Sequence, residues 1–265
     1  MGTRRDPVQA RTDGSLDLHD VVEWEQQTLL DAVAVFVYQA LLVATRAFVV
    51  VLALFILLAE IALGTLGGLT DPWIGVMTVL SAVPALGLAA YVWHADVTTQ
   101  EPLSLLVGTF LLGVLVAGFA GILNTAVPAV FMSWGVDIGL IGLFFLVVGP
   151  VEEGVKLLAV RLYPFRDDRF NAVIDGAVYG AVAGLGFATI ENALYITQSV
   201  AATSANPLAV GGGTSIVRAL AGPGHVIYSA IAGYYLGLAK FNPDDAGPIV
   251  IKGLLIAAVI HGGYN

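Results

Sequence analysis

The chain has 265 residues, 58% of them hydrophobic and 12% charged, with a mean hydropathy of +0.87. Soluble domains carry roughly a quarter charged residues, so this composition cannot cover a water-facing surface and predicts an all-α helical bundle in lipid. The net charge of −9, from 20 acids and 11 bases, leaves no basic patch for nucleic acid, and the absence of cysteine excludes disulfides, thiolate chemistry and Cys-based zinc sites.

Residues 1–46 read as a polar N-terminal segment with an interfacial helix. Its first stretch mixes bases with acids such as Asp13, Asp17, Asp20, Glu23 and Glu25, which predicts no cleavable signal peptide. Residues 29–45 are apolar apart from Asp31 and Gln39. They are expected to form an interfacial or buried extension, since one helix through 29–68 would be about 60 Å long.

Residues 47–265 are expected to form a single membrane domain of about seven spans. These are predicted near 47–68, 73–94, 102–123, 138–162, 171–197, 215–240 and 247–264, with Trp73 and Trp93 at aromatic-belt depths. Arg4, Arg5, Arg11, Arg161, Arg166, Arg169 and Lys240 all fall on one set of alternating loops, and the other set has no Lys or Arg. The positive-inside rule then places the N-terminus inside. The stretch 198–214, with Gly211, Gly212 and Gly213, is expected to be a flexible outer loop serving as a linker or a substrate gate.

Ionisable groups at bilayer depth must face the protein interior and find partners. Spans two and three hold almost none, so the chemistry is expected in residues 138–265. Span four reads Gly149-Pro150-Val151-Glu152-Glu153-Gly154-Val155-Lys156. Pro150 removes a backbone hydrogen bond and loosens the helix there. Lys156 lies one turn from both glutamates, yet one lysine cannot neutralise two acids. A surplus carboxylate in a low-dielectric setting suits a general base better than a packing contact.

Span five carries Gly176, Gly180 and Gly184 at intervals of four, a flat ridge for close packing, followed two turns later by Glu191 and then Asn192. Phe187 sits near the same face. Span six carries Arg218 and then Gly222-Pro223-Gly224-His225, which predicts a bent or interrupted helix around a buried histidine. Span seven ends in His261 and Asn265, four apart and so on one helical face. His19 and His94 lie in polar or interfacial sequence and are expected to be inert.

In this order, Glu152-Glu153-x-x-Lys156, Phe187-x-x-x-Glu191-Asn192, His225 and His261 resemble the motifs of the PrsW family of intramembrane proteases, over about residues 145–265. That family is related to the CAAX prenyl proteases and bacteriocin-immunity proteins. His261-x-x-x-Asn265 is similar to their last motif, whereas Glu191 stands where those relatives have histidine.

The resemblance implies a multi-pass protease of a prokaryotic cell membrane that cleaves single-span or membrane-anchored proteins. Glu152, Glu153, Glu191, His225 and His261 are the expected catalytic residues, supported by Lys156, Phe187, Asn192 and Asn265. Glu191, His225 and His261 could hold zinc, and a metal-free glutamate mechanism stands equally open. The competing class is a proton- or ion-coupled transporter, which also uses broken helices and buried acids. Against it, no inverted repeat relates the two halves.

Overall fold

The computed structural model describes residues 26–133, 135–203 and 206–265. His19, the acids before residue 26, and Arg4, Arg5 and Arg11 lie outside them. Residues up to Phe48 and Val49–Asn265 form two compact units.

The Asp31 carboxylate accepts from the N–H groups of Gln27 (3.0 Å) and Thr28 (2.8 Å), which starts helix α1, Leu29–Ala62, a helix that begins in the first unit and ends in the second. Phe36, Tyr38 and Leu41 are exposed, as suits a surface solvated by lipid. α1 is one helix of 34 residues, about 51 Å long, where an extension and a separate first span were expected. The reason is local: Asp31 serves as a cap, and no Gly or Pro stands between Leu29 and Ala62. Gly64, at φ +71, turns the chain beyond its end.

The second unit continues with α2 (Pro72–His94), α3 (Leu103–Ala126), the short α4 (Pro128–Met132), α5 (Val136–Leu143), a π turn (Phe144–Val148), α6 (Gly149–Leu162), α7 (Val173–Ala201), α8 (Pro207–Lys240) and α9 (Ala246–Tyr264). There is no strand among the described residues. Among the described residues, six helical stretches are long and apolar enough to cross a membrane: α1, α2, Leu103–Met132, Val136–Leu162, α7 and α9. The seventh long helix, α8, is less apolar because it carries Arg218, His225 and many glycines.

α7 is the central helix, buried along most of its length. A Cβ placed on Gly176, Gly180 or Gly184 would run into the backbone carbonyl of Gly233, Ser229 or His225 respectively, so α7 and α8 touch backbone to backbone. On another face, Gly186 meets the Phe110 carbonyl of α3 in the same way. This contact fixes His225 opposite Gly184, two turns before Glu191.

Two expectations about irregular backbone are corrected. The 198–214 stretch is not a long loop: α7 runs to Ala201 and α8 begins at Pro207, with the Asn206 side chain accepting from Leu208 N–H (2.9 Å). Gly211, Gly212 and Gly213 lie within α8, because an intrahelical partner for each backbone group is worth more in lipid than glycine's flexibility. The helix also continues through Gly222-Pro223-Gly224 and is not interrupted there. A further irregularity falls at the π turn Phe144–Val148. There Pro150, in the first turn of α6, lacks the N–H that a regular ladder would need.

Candidate active site

α6 presents three buried ionisable side chains, Glu152, Glu153 and Lys156, on one face. Lys156 Nζ donates to Glu153 Oε1 at 2.7 Å and lies 3.7 Å from Glu152 Oε2. The ammonium therefore belongs mainly to Glu153. Ser229 donates to the other oxygen of Glu153 at 3.1 Å. Glu152 receives one hydrogen bond, from Asn124 Nδ2 to Oε1 at 2.9 Å, and its Oε2 is buried without a donor.

The two histidines converge on that free oxygen. His261 Nε2 is 3.6 Å from Glu152 Oε2 and His225 Nδ1 is 3.8 Å from it. Behind each imidazole stands a second carboxylate. His261 Nδ1 meets Glu153 Oε1 at 2.8 Å, and His225 Nε2 meets Glu191 Oε2 at 2.9 Å. Carboxylates in these positions select the tautomer and aim the opposite nitrogen inward. Lys156 Nζ also lies 2.8 Å from His225 Nδ1. Tyr228 stacks on His261, with ring centroids 5.1 Å apart. Phe187 walls the other side, 5.5 Å from His225 and 4.3 Å from the Lys156 ammonium.

Glu191 is bound by Arg218, whose Nε also donates to Asn192 Oδ1 at 2.9 Å. Asn192 in turn donates to Ser81 at 2.9 Å, and the Arg218 guanidinium lies over the Tyr195 ring. The cluster thus holds three acids, Glu152, Glu153 and Glu191, against two bases, Lys156 and Arg218. The unmatched negative charge falls on Glu152.

Glu152 and Glu191 separate two cavities. One, of about 180 Å³, is bordered by Phe144, Val148, Tyr228, His261 and Asn265. The other, of about 210 Å³, is bordered by Ala117, Gly121, Phe187 and Gln198. The same two carboxylates thus border both cavities.

Every sequence-predicted site residue stands in or beside this cluster, Asn265 only as part of a cavity wall. Lys252 and Asp175, both within the last four helices, stand apart from the cluster. Lys252 is exposed over Tyr235, and Asp175 lies at the opposite end of α7 from Glu191. The geometry differs on one point. In this cluster the residues whose ligand atoms lie within 4.8 Å of one another are Glu152, His225 and His261, whereas the sequence suggested Glu191 with the two histidines; Glu191 instead meets the far nitrogen of His225. Asn124, Ser81, Ser229, Tyr228 and Arg218 were not expected in the site. Arg218 had a signal, being a charge inside a span. The neutral polar residues had none that separates them from ordinary helix-packing groups.

Comparison with known proteins bears on this constellation. Residues 101–265, which hold every residue of the cluster except Ser81, match the family of PrsW intramembrane metalloproteases. The chain belongs to that family. It is 32% identical over 188 residues to a protease PrsW of Geobacillus kaustophilus, covering 69% of this chain and 75% of the relative. It is 30% identical to that of Shouchella clausii, covering 72% and 82%, and to that of Bacillus subtilis, covering 69% and 78%. No solved structure matches the chain significantly. Like its PrsW relatives it is a membrane protease, and the transporter reading is not favoured.

The metal implied by the family description finds a suitable donor set. Two neutral imidazoles and a carboxylate are a known catalytic zinc set. Their atoms, 3.6 and 3.8 Å apart, are close to the spacing of roughly 3.4 Å between ligands tetrahedrally placed about 2.1 Å from zinc. Glu152 Oε2 is a buried acceptor without a donor, as a ligand atom should be.

Proposed function

We propose that this PrsW-family protein hydrolyses peptide bonds of single-span or membrane-anchored proteins by an activated water, with Glu152, His225 and His261 holding a zinc ion. The observation carrying the proposal is the convergence of His225 Nδ1 and His261 Nε2 on the unpartnered Glu152 Oε2, each ring backed by its own carboxylate. A zinc ion bound there would polarise the scissile carbonyl and make water acidic enough to act near neutral pH.

The remaining steps belong to the side chains. Arg218 and His225 hold Glu191 through Oε2, leaving Oε1 with no hydrogen bond to described residues. Oε1 takes the proton of the attacking water and passes it to the leaving amine. Lys156 binds Glu153, whose Oε1 also meets His261 Nδ1 and orients that ring. Phe187 and Tyr228 seal the imidazoles from lipid, and Asn124 fixes the Glu152 rotamer.

A metal-free route, with Glu152 as the base, has one observation in its favour. The Lys156 ammonium already lies 2.8 Å from His225 Nδ1, near where a cation would bind. Cleavage of a single-span reporter in detergent, before and after 1,10-phenanthroline treatment and zinc return, separates the two. The zinc reading expects loss and recovery of activity and about one zinc per chain. A chelator-resistant, zinc-free active protein would transfer the water to Glu152 alone.

A further inference from the structure

A second group of carboxylates lies at the other end of α7 from Glu191. Asp96 is in the loop after α2, Glu101 stands just ahead of α3, and Asp175 is in the first turn of α7. One oxygen from each lies within 4.8 Å of the others.

The two aspartates are each half engaged. Asp96 Oδ1 accepts from the N–H (2.7 Å) and hydroxyl (2.8 Å) of Thr98. Asp175 Oδ2 accepts from the N–H groups of Asn171 (2.7 Å) and Ala172 (3.0 Å), capping α7. Asp96 Oδ2, Asp175 Oδ1 and both oxygens of Glu101 are buried with no donor. Glu101 is 3% exposed and Asp175 0%. These free oxygens are therefore the inward-facing ones, oriented by the bonds their partners make.

Tyr179 supplies an independent sign. It lies one turn beyond Asp175 on α7, is fully buried, and its hydroxyl also lacks a partner. Glu101 and Asp175 are the charges that act on that hydroxyl most strongly. The nearby bases are committed elsewhere. Lys240 Nζ donates to the Phe165 and Phe170 carbonyls at 2.8 and 2.7 Å, and Arg169 pairs with Asp167. Among the described residues no Lys or Arg forms an ion pair with any of the three acids. Buried carboxylates without partners are driven to bind a cation or a proton.

We propose that Asp96, Glu101 and Asp175 form a site for a hard divalent cation, Ca²⁺ or Mg²⁺, that ties the α2–α3 loop to the start of α7. Four free oxygens and no nitrogen or sulfur donor suit calcium or magnesium and do not suit zinc. The unpartnered Tyr179 hydroxyl belongs to the same face of α7, one turn beyond Asp175. Burial, together with the charges of Asp96 and Asp175, pushes the Glu101 carboxyl up to about 8, so protons compete with the cation and its binding tightens as pH rises through that range. The site is separate from the Glu152 cluster and does not depend on the hydrolytic reading.

Thermal unfolding of the full chain in detergent, stripped with EDTA and then given CaCl₂ or MgCl₂, tests the proposal. At saturation the melting temperature of the wild type should rise by about 5 °C or more. Glu152→Gln should show the same rise, which excludes the active site as its source. Glu101→Gln should lose the rise, and calorimetry should find one Ca²⁺ or Mg²⁺ per wild-type chain and none in this variant. In EDTA, Glu101→Gln should melt no lower than wild type, because it removes a buried acid that has no donor. The comparison thus survives even if Asp175→Asn fails to fold. An equal rise in Glu101→Gln would overturn the proposal. So would a wild type blind to both ions whose stability instead falls as pH rises toward 8, which would assign the pocket to a proton.

Discussion

At the scale of single residues, the decisive fact is an imbalance. Lys156 and Arg218 account for Glu153 and Glu191, leaving Glu152 alone at 2% exposure with one unpartnered oxygen. A packing contact would not retain a lone buried charge, since replacing it by a neutral isostere relieves desolvation. Glu152→Gln should therefore lower cleavage by about 10³-fold or more while leaving the melting temperature equal or higher. A variant that cleaved at the wild-type rate would remove Glu152 from the chemistry. Arg218 acts through its neighbours. Arg218→Lys keeps the charge but cannot span Glu191 and Asn192 together, so catalysis should fall about 10- to 100-fold. The loss should appear in kcat rather than KM if Arg218 positions Glu191 and touches no substrate. The charged members of this site were readable because a charge inside a span is rare. Asn124 and Ser229 were not, because a polar neutral group in a helix looks the same whether it bonds a buried glutamate of the cluster or its own backbone.

At the scale of elements, the glycines divide into two kinds that sequence spacing does not fully separate. Gly184 has no room for a Cβ against the His225 carbonyl, whereas Gly212 has nothing within 4 Å. Gly184→Ala should push α7 from α8, destabilise the protein by about 1–3 kcal/mol and displace His225 from Glu191, so activity should fall further than stability alone explains. Gly212→Ala should stabilise α8 by up to about 1 kcal/mol through helix propensity and leave cleavage intact. Thermal melts and reporter cleavage of the pair would check both, and a large loss of activity from Gly212→Ala would revive a gate at this position. The intervals of four in Gly176, Gly180 and Gly184 were legible as a ridge. The run Gly211–Gly213 was misleading for a physical reason: glycine marks loops in water, where unpaired peptide groups find solvent, but inside a bilayer they must pair within the helix. The π turn had no signature beyond Pro150, because its extra residue is accommodated by packing against α9. There Gly149 meets the Ala258 carbonyl and Gly262 meets that of Phe144.

At the scale of the whole molecule, the buried charges form two groups at different depths along one helix. Asp175 opens α7, and Glu191 lies about 24 Å further along at 1.5 Å per residue. The end with Asp175 neighbours Arg161, Arg166, Arg169 and Lys240, while the turn after Ala201 has no base nearby in sequence. If basic loops mark the cytoplasmic side, Glu191 and the two histidines sit nearer the outer face. The hydrolytic centre would then open toward the outer half of a spanning substrate. The chain contains no cysteine, so single introduced thiols report on sidedness without background. A thiol at the exposed Asp168 position (Asp168→Cys) should react with a membrane-impermeant maleimide only after spheroplasts are permeabilised. One at Ala202 (Ala202→Cys) should react in intact spheroplasts. The reverse pattern would invert the bundle, bring the Glu152 cluster toward the cytoplasm and redirect the search for substrates to proteins whose inner halves are cut.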